Sequence, residues 1–251
     1  MEQSRKLELQ KVANRVRQGV IESTYCAKSG HPGGSLSITD ALVYLYYQQM
    51  RVDPANPSWA DRDRLVLSKG HCCPALYSVL AEKGFFDKKE LRSLRHVGAM
   101  LQGHPDMKGT PGIDMSSGSL GQGISVYAIL GDGELQEGQV WEAAMFAGFR
   151  KLDNLIAIVD NNNLQIDGQV SDVCSVYPIE DKFTAFGWHA ITVDAHDFDS
   201  LEKGFAEAMT ITGKPVVLVQ KSVKGKGVSF MENQADWHGK ATNAQEYEQA
   251  M

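Results

Sequence analysis

An α/β fold, with a doubly wound, mostly parallel sheet and helices on both faces, is predicted by three observations. Apolar runs of strand length alternate with helical periodicity along most of the chain. The central stretch from Ile129 to Gly168 reads strand, turn, helix, strand, turn. Turn residues collect at the predicted carboxyl ends of strands, where open parallel sheets bind their ligands. The chain has 251 residues with 43% hydrophobic content, which suits a single α/β domain over 1–251.

Taken in order, Leu7, Leu9, Val12, Val16, Val20 and Ile21 recur at helical spacing, predicting an amphipathic helix that ends near Gly30. Ser29-Gly30-His31-Pro32-Gly33-Gly34 breaks regular structure and sets a histidine among residues small enough for a ligand to approach the backbone. Asp40 marks a capped helix start, and ITDALVYLYYQQM, apolar on most sides, predicts a buried helix over Ile38 to Met50. Tyr44, Tyr46 and Tyr47 read as core or subunit contact. Residues 53–63, with Pro54, Pro57 and Trp59, form a surface connection. Leu65-Val66-Leu67 is a buried strand ending on Ser68-Lys69-Gly70-His71, so a second histidine sits beside glycine, ahead of the helix CCPALYSVLAEKG. Residues 87–96 predict a short charged helix. LQGHPDMKGTPGIDMSSGSLGQG is then rich in turns and carries a third such histidine, His104, and the flexible loop Gly118 to Gly123.

Tyr127 to Leu130, Glu134 to Arg150 and Leu155 to Val159 predict a βαβ unit. Residues 134 to 160, about 27 positions, are room for a crossover helix and a return strand. Asp132 and Asn161-Asn162-Asn163 fall at adjacent strand ends beside a helix start, which suits a hard cation such as Mg²⁺ holding a phosphate. Asp-Gly and Asn-rich turns are also ordinary turn chemistry, and the spacing is generic to α/β proteins. Further on come a helix within 178–187, a strand His189 to Val193, and a helix Phe198 to Thr212 with Leu201, Phe205, Ala208 and Met209 inward. A last strand follows over Pro215 to Val219. Lys221, Lys224 and Lys226 lie among glycines, where a solvated loop is the ordinary reading, and WHGKAT brings His238.

A net charge of −6 argues against general nucleic-acid binding, so bound phosphates must be met by local groups. Apolar runs are too short for a membrane helix, and MEQSRKLELQ is charged, so a cytoplasmic location is expected. Cys26, Cys72, Cys73 and Cys174 have no metal-ligand spacing and read as reduced thiols.

SGHPGG, SKGH, GHPD, GSLGQG, GDGELQEGQVWEA, DNNNLQIDG and WHGKAT, in that order over nearly the whole chain, resemble transketolase in its amino-terminal, diphosphate-binding domain. The sequence ends where the family's pyrimidine-binding domain would begin, and so resembles the amino-terminal subunit of a split, two-gene transketolase. The resemblance implies a thiamine-diphosphate-binding fold using thiamine diphosphate with Mg²⁺, or Ca²⁺ or Mn²⁺ in its place. It makes Asp132, Asn162 and the Leu164 carbonyl metal ligands. The amides of Gly133 and Glu134 would face the diphosphate, with His71 and His238 nearby. Leu120 and Ile166 would flank the thiamine rings, and the Gly118 backbone would hold the aminopyrimidine. His31, His104 and His238 would bond the sugar hydroxyls and move protons, with both protonation states accessible near pH 7. Glu137 would lie at the interface between two active sites.

The implied reaction moves a two-carbon ketol unit from a ketose phosphate to an aldose phosphate, as in the pentose phosphate pathway. The glutamate that activates the cofactor would come from a carboxy-terminal partner chain, in an assembly with two copies of each chain. The helices at Ile38 to Met50 and after Gly133 are candidate interfaces. The sequence departs from the family's pattern at Cys72-Cys73 and at Ala195, where a glycine commonly precedes the His-Asp pair. A family helix is also missing between GSLGQG and the strand at Tyr127, where a parallel crossover takes about a dozen residues or more. Two further readings stay open: a transketolase subunit specialised for an unusual sugar, and a non-catalytic binding subunit.

Overall fold

The computed structural model describes residues 1–116 and 126–251. Among these, a five-stranded sheet runs in the order β1 (Arg64–Leu67), β2 (Val126–Gly131), β3 (Leu155–Asn161), β7 (Val216–Lys221), β6 (His189–Asp194), and every neighbouring pair is parallel. A hairpin of β4 (Leu164–Gln165) and β5 (Gly168–Gln169) follows β3 directly. The helices are α1 (Gln3–Ala27), α2 (Pro32–Ser37), α3 (Thr39–Tyr44), α4 (Cys73–Lys83), α5 (Gly138–Arg150), α6 (Val170–Val173), α7 (Ile179–Ala185), α8 (Phe198–Ala208) and α9 (Ala244–Ala250).

Alternation along the strands sends side chains to two covered faces, which is why these strands read as nearly continuous apolar runs. Tyr127, Ile129, Ile156, Ile158 and Leu218 join one core with α1, α3, α4 and α8. Val126, Ala157, Val159, Val217 and Val219 join the other, with Ala144 and Ala147 of α5 and Ile179 and Phe183 of α7. The register pairs Gly131 with Asp160 and Asp160 with Gln220, so the carboxyl ends of the inner strands finish level.

Several expectations change in detail. Pro32 does not break the chain but opens α2, as a residue with fixed φ and no N–H can do at a first helical turn. The predicted helix over Ile38 to Met50 is α3 continued by a π-helical turn, Leu45–Gln49. Ile38, Leu42, Val43 and Leu45 are completely buried within the chain itself, so these side chains belong to the core, while Gln48 in the last turn is exposed. Lys88–Ser93 is 3₁₀ rather than α, started by the Asp87 side chain accepting from Lys89 N at 2.9 Å. The helix expected from Glu134 is split: Gly133–Gln136 is a 3₁₀ turn, Glu137 is extended at φ −78° and ψ 126°, and α5 starts at Gly138. At the other end, α8 stops at Ala208, leaving Met209 outward and 55% exposed, and Leu7 of α1 is likewise exposed. No helix among the described residues is long and apolar enough to cross a membrane. Gly118, Leu120 and the short approach through Gly123 to Ser125 lie outside the described residues.

Candidate functional site

The carboxyl ends of β1, β2 and β3 and the segment after β7 meet at a cavity of about 460 Å³. Lys69 and His71 reach it from just past β1, Asp132 from past β2, Asn162 from past β3, Leu164 from β4, and Lys224 from beyond β7. His104 and His238 complete the wall, with Gln136, Glu137 and Ile166 also lining it.

Beneath the cavity lies a buried polar floor. The Asp160 carboxylate is fully buried and accepts from Lys69 Nζ at 2.5 Å, Ser37 Oγ at 2.6 Å, Asn162 Nδ2 at 3.0 Å and Ser222 Oγ. Burial opposes both charges of the Lys69–Asp160 pair, but their mutual attraction outweighs it. Lys69 is held above its ordinary pKa and Asp160 below.

Asp132 is only 2% exposed. One carboxylate oxygen accepts from Gly133 N at 2.8 Å and the other from Asn163 N. Burial and the neighbouring Asp160 carboxylate push it up to about 6. Such a group gains from a cation placed beside it. Asn162 Oδ1 caps its own turn by accepting from Leu164 N at 3.0 Å, while the Leu164 carbonyl accepts from Lys224 Nζ at 3.1 Å. Asp132, Asn162 and Leu164 therefore offer a carboxylate, an amide oxygen and a carbonyl at one cavity, a donor set of the hard kind that Mg²⁺ prefers. Lys69 and Lys224 also line this cavity, the first paired with Asp160 beneath it and the second donating to the Leu164 carbonyl.

His31, His71 and His238 converge, with ring centroids 5.1 Å apart for His31–His71 and His71–His238 and 5.5 Å for His31–His238. Burial, reinforced by nearby cations, lowers His31 and His238 to about 4 and His71 to about 2. The expectation that both protonation states are accessible near pH 7 therefore does not hold for His31 and His238, whose rings are neutral. His238 Nδ1 faces the Lys224 ammonium at 2.9 Å and so accepts, which leaves its proton on Nε2. His31 packs behind His71 and His238, with Nδ1 buried and without a hydrogen-bond partner among the described residues.

A pH effect follows from these shifts. An unfolded imidazole takes its proton near 6.5, whereas these rings resist until about 4 or lower. Between those values the unfolded state binds more protons, so their contribution to stability is lost as pH falls from 6.5 toward 4. Urea midpoints of the wild type and His71→Gln, compared at pH 7 and pH 5, should show a smaller acid loss in the variant. Equal losses would contradict the assignment.

Sequence reasoning left Lys69 without a role and kept a solvated loop open for Lys224, although Lys224 is 1% exposed. The signal for Lys69 was its place at a strand's carboxyl end in SKGH. Glu134 also differs from a simple amide donor: its carboxylate accepts from Gly131 N at 3.1 Å and from Ser68 Oγ, tying the turns after β1 and β2 together. Ile166, at the tip of the β4–β5 hairpin, is 70% exposed at the cavity mouth.

Comparison with known proteins agrees with this arrangement. The family profile described as transketolase, thiamine diphosphate binding domain, matches residues 9–126 and 125–251, its two stretches meeting at the start of β2. The chain is 46% identical over 249 residues to a 6-deoxy-6-sulfo-D-fructose transketolase subunit from a Clostridium species, covering 92% of this chain and 90% of that protein. It is 41% identical over 262 residues to an apulose-4-phosphate transketolase subunit from Phocaeicola vulgatus, covering 98% and 92%. Among solved structures, transketolase from Leishmania mexicana superposes with a TM-score of 0.90 at 31% identity, over 96% of this chain and 40% of that one. The chain thus spans nearly all of two subunit relatives and about 40% of that transketolase. With its sheet order, its cavity and its sequence in agreement, the chain belongs to the transketolase family, whose thiamine-diphosphate-binding domain it carries.

Proposed function

We propose that this chain is the diphosphate-binding subunit of a two-chain transketolase that uses thiamine diphosphate and Mg²⁺ to transfer a two-carbon ketol unit from a ketose phosphate to an aldose phosphate. The observation that carries this reading is the meeting of Asp132, Asn162, Leu164, Lys69 and Lys224 at one cavity, in a chain nearly coextensive with two relatives named as transketolase subunits.

In this reading Asp132, Asn162 and the Leu164 carbonyl hold the metal. Lys69, Lys224, His71, His238 and the turn at Gly133-Glu134 receive the diphosphate, and Ile166 covers a thiamine ring. The bound cofactor supplies the electron sink for breaking and forming the carbon–carbon bond. His31, His104 and His238 orient sugar hydroxyls; the neutral His31 ring keeps one nitrogen able to accept, whereas His238, whose Nδ1 already accepts from Lys224, donates from Nε2. Glu137, at the break before α5, sits where a second active site would be reached. Met145, Phe146 and Phe149 of α5 are 55%, 60% and 79% exposed, an apolar face suited to self-association, with two copies of each chain in the assembly. The partner is a chain carrying the pyrimidine-binding domain.

Assayed with thiamine diphosphate, Mg²⁺ and sugar phosphates, the chain alone should show no turnover, and adding the pyrimidine-binding partner should restore it. Turnover without a partner would overturn the two-chain assembly. Absence of cofactor binding with the partner present would overturn the catalytic reading. A second reading, specialisation for an unusual sugar, is favoured by the two subunit relatives, named for 6-deoxy-6-sulfo-D-fructose and for apulose-4-phosphate. Donor competition in the two-chain enzyme, with fructose 6-phosphate against its 6-sulfo analogue, separates the two.

A further inference from the structure

Lys224 faces an energetic problem. Its ammonium is buried and, among the described residues, meets only the Leu164 carbonyl at 3.1 Å and His238 Nδ1 at 2.9 Å, two neutral partners whose geometry depends on where the backbone of residue 224 is held. It lies on a glycine-rich segment past the end of β7, where the sheet's ladder no longer holds the backbone.

Groups remote from the cavity hold that segment. Asp40 of α3, 5% exposed, accepts from His196 Nδ1 at 2.8 Å and from Arg17 Nη2 of α1 at 2.6 Å. His196 Nε2 accepts from Val223 N at 2.9 Å, and Arg17 Nε donates to the Lys226 carbonyl at 3.0 Å. A carboxylate can only accept and a backbone N–H can only donate, so the imidazole carries its proton on Nδ1 and is bare at Nε2. The residues on both sides of Lys224 are thus tied through one relay to Asp40. Gly225 completes the arrangement: its N–H donates to the Gly33 carbonyl at 2.9 Å, its φ is +79°, and a Cβ there would stand 2.3 Å from the Met231 carbonyl oxygen.

We infer that His196, backed by Asp40 and Arg17, is a positioning residue that keeps the Lys224 ammonium in the diphosphate site by fixing the backbone of residues 223–226. None of the three lines the cavity. The inference rests on the proposed diphosphate reading for its functional meaning, but the clamp itself can be measured without any cofactor.

The test uses the full chain, with hydrogen exchange of residues 222–228 and the acetylation rate of Lys224 followed by mass spectrometry. In His196→Leu, exchange across 222–228 and labelling of Lys224 should each rise roughly tenfold, as expected for loss of a backbone hydrogen bond and its support, while β2 and β3 stay protected. His196→Gln, whose amide can donate to Asp40 and accept from Val223, should stay within about threefold of the wild type. If His196→Leu unfolds the chain, Arg17→Met, which removes the tie to Lys226, supplies the same readout. Wild-type exchange and labelling in the folded variant, or a Gln variant as impaired as Leu, overturns the inference. Binding of inorganic diphosphate with Mg²⁺ should weaken in parallel. A released Lys224 with unchanged diphosphate binding would place the failure in the diphosphate reading and not in the clamp.

Discussion

Replacing Lys69 by methionine is expected to cost the fold about 3–5 kcal/mol, read as a lower urea midpoint at pH 7. The cause is not the loss of attraction alone. Asp160 carries the deficit: it is buried at the centre of the sheet, and Ser37, Ser222 and Asn162 would be left to solvate a carboxylate without its counterion. The double variant Lys69→Met/Asp160→Asn should recover much of the loss, because breaking a buried pair from one side is worse than removing both charges. A single-variant loss below about 1 kcal/mol, the range of solvent-exposed pairs, would show that Asp160 finds compensation elsewhere.

The second large effect is on binding. Asp132→Ala should weaken Mg²⁺-dependent diphosphate binding by roughly 10²–10³-fold, more than the loss typical of an outer partner of a metal ligand. Titration calorimetry on the two-chain complex measures this. The thermal shift that ligand brings to the wild type should vanish in the variant at the same ligand concentration. Binding within about tenfold of the wild type would remove Asp132 from the metal's ligands. Asp132 also closes the turn by accepting from Gly133 and Asn163, so β3 protection should be checked in the same sample.

The fold was legible because its signals are local and repeated. Strands covered on both faces appear as apolar runs such as Leu155 to Val159, and α5 shows a helical period even though its first turn is misread. That misreading has a simple cause: Gly133-Glu134-Leu135-Gln136 has the composition of a helix start, but Glu137 is extended, and apolar spacing does not reveal one residue's ψ. The candidate cavity was legible through residues whose chemistry is unusual for loops, since His71, His104, Asp132 and His238 all line it and His31 packs behind two of them. Lys69 and Lys224 were not, because a lysine among glycines looks the same whether it is solvated or buried, and only tertiary contacts decide. His196 was passed over for a related reason. Its partners Asp40 and Val223 lie 156 and 27 positions away, and nothing in local spacing connects them. The helix over Ile38 to Met50 looked suited to an interface because apolar surface is the same commodity in a core and between subunits, and the sequence does not say which neighbour covers it.

The level finish of the inner strands has a consequence for tolerance to change. Lys69, Asp132, Asp160 and Ser222 lie at the ends of four neighbouring strands, so their lateral separations follow the interstrand spacing of about 4.8 Å. The ladder of backbone hydrogen bonds acts as a ruler for these side chains, because Lys69, Asp132 and Ser222, just past their strands, still donate their N–H groups to carbonyls of the neighbouring strands. Loops beyond these positions can lengthen, shorten or change composition while the charges keep their spacing. A slip of one residue in any one strand, by contrast, would turn that strand's contribution toward the wrong face.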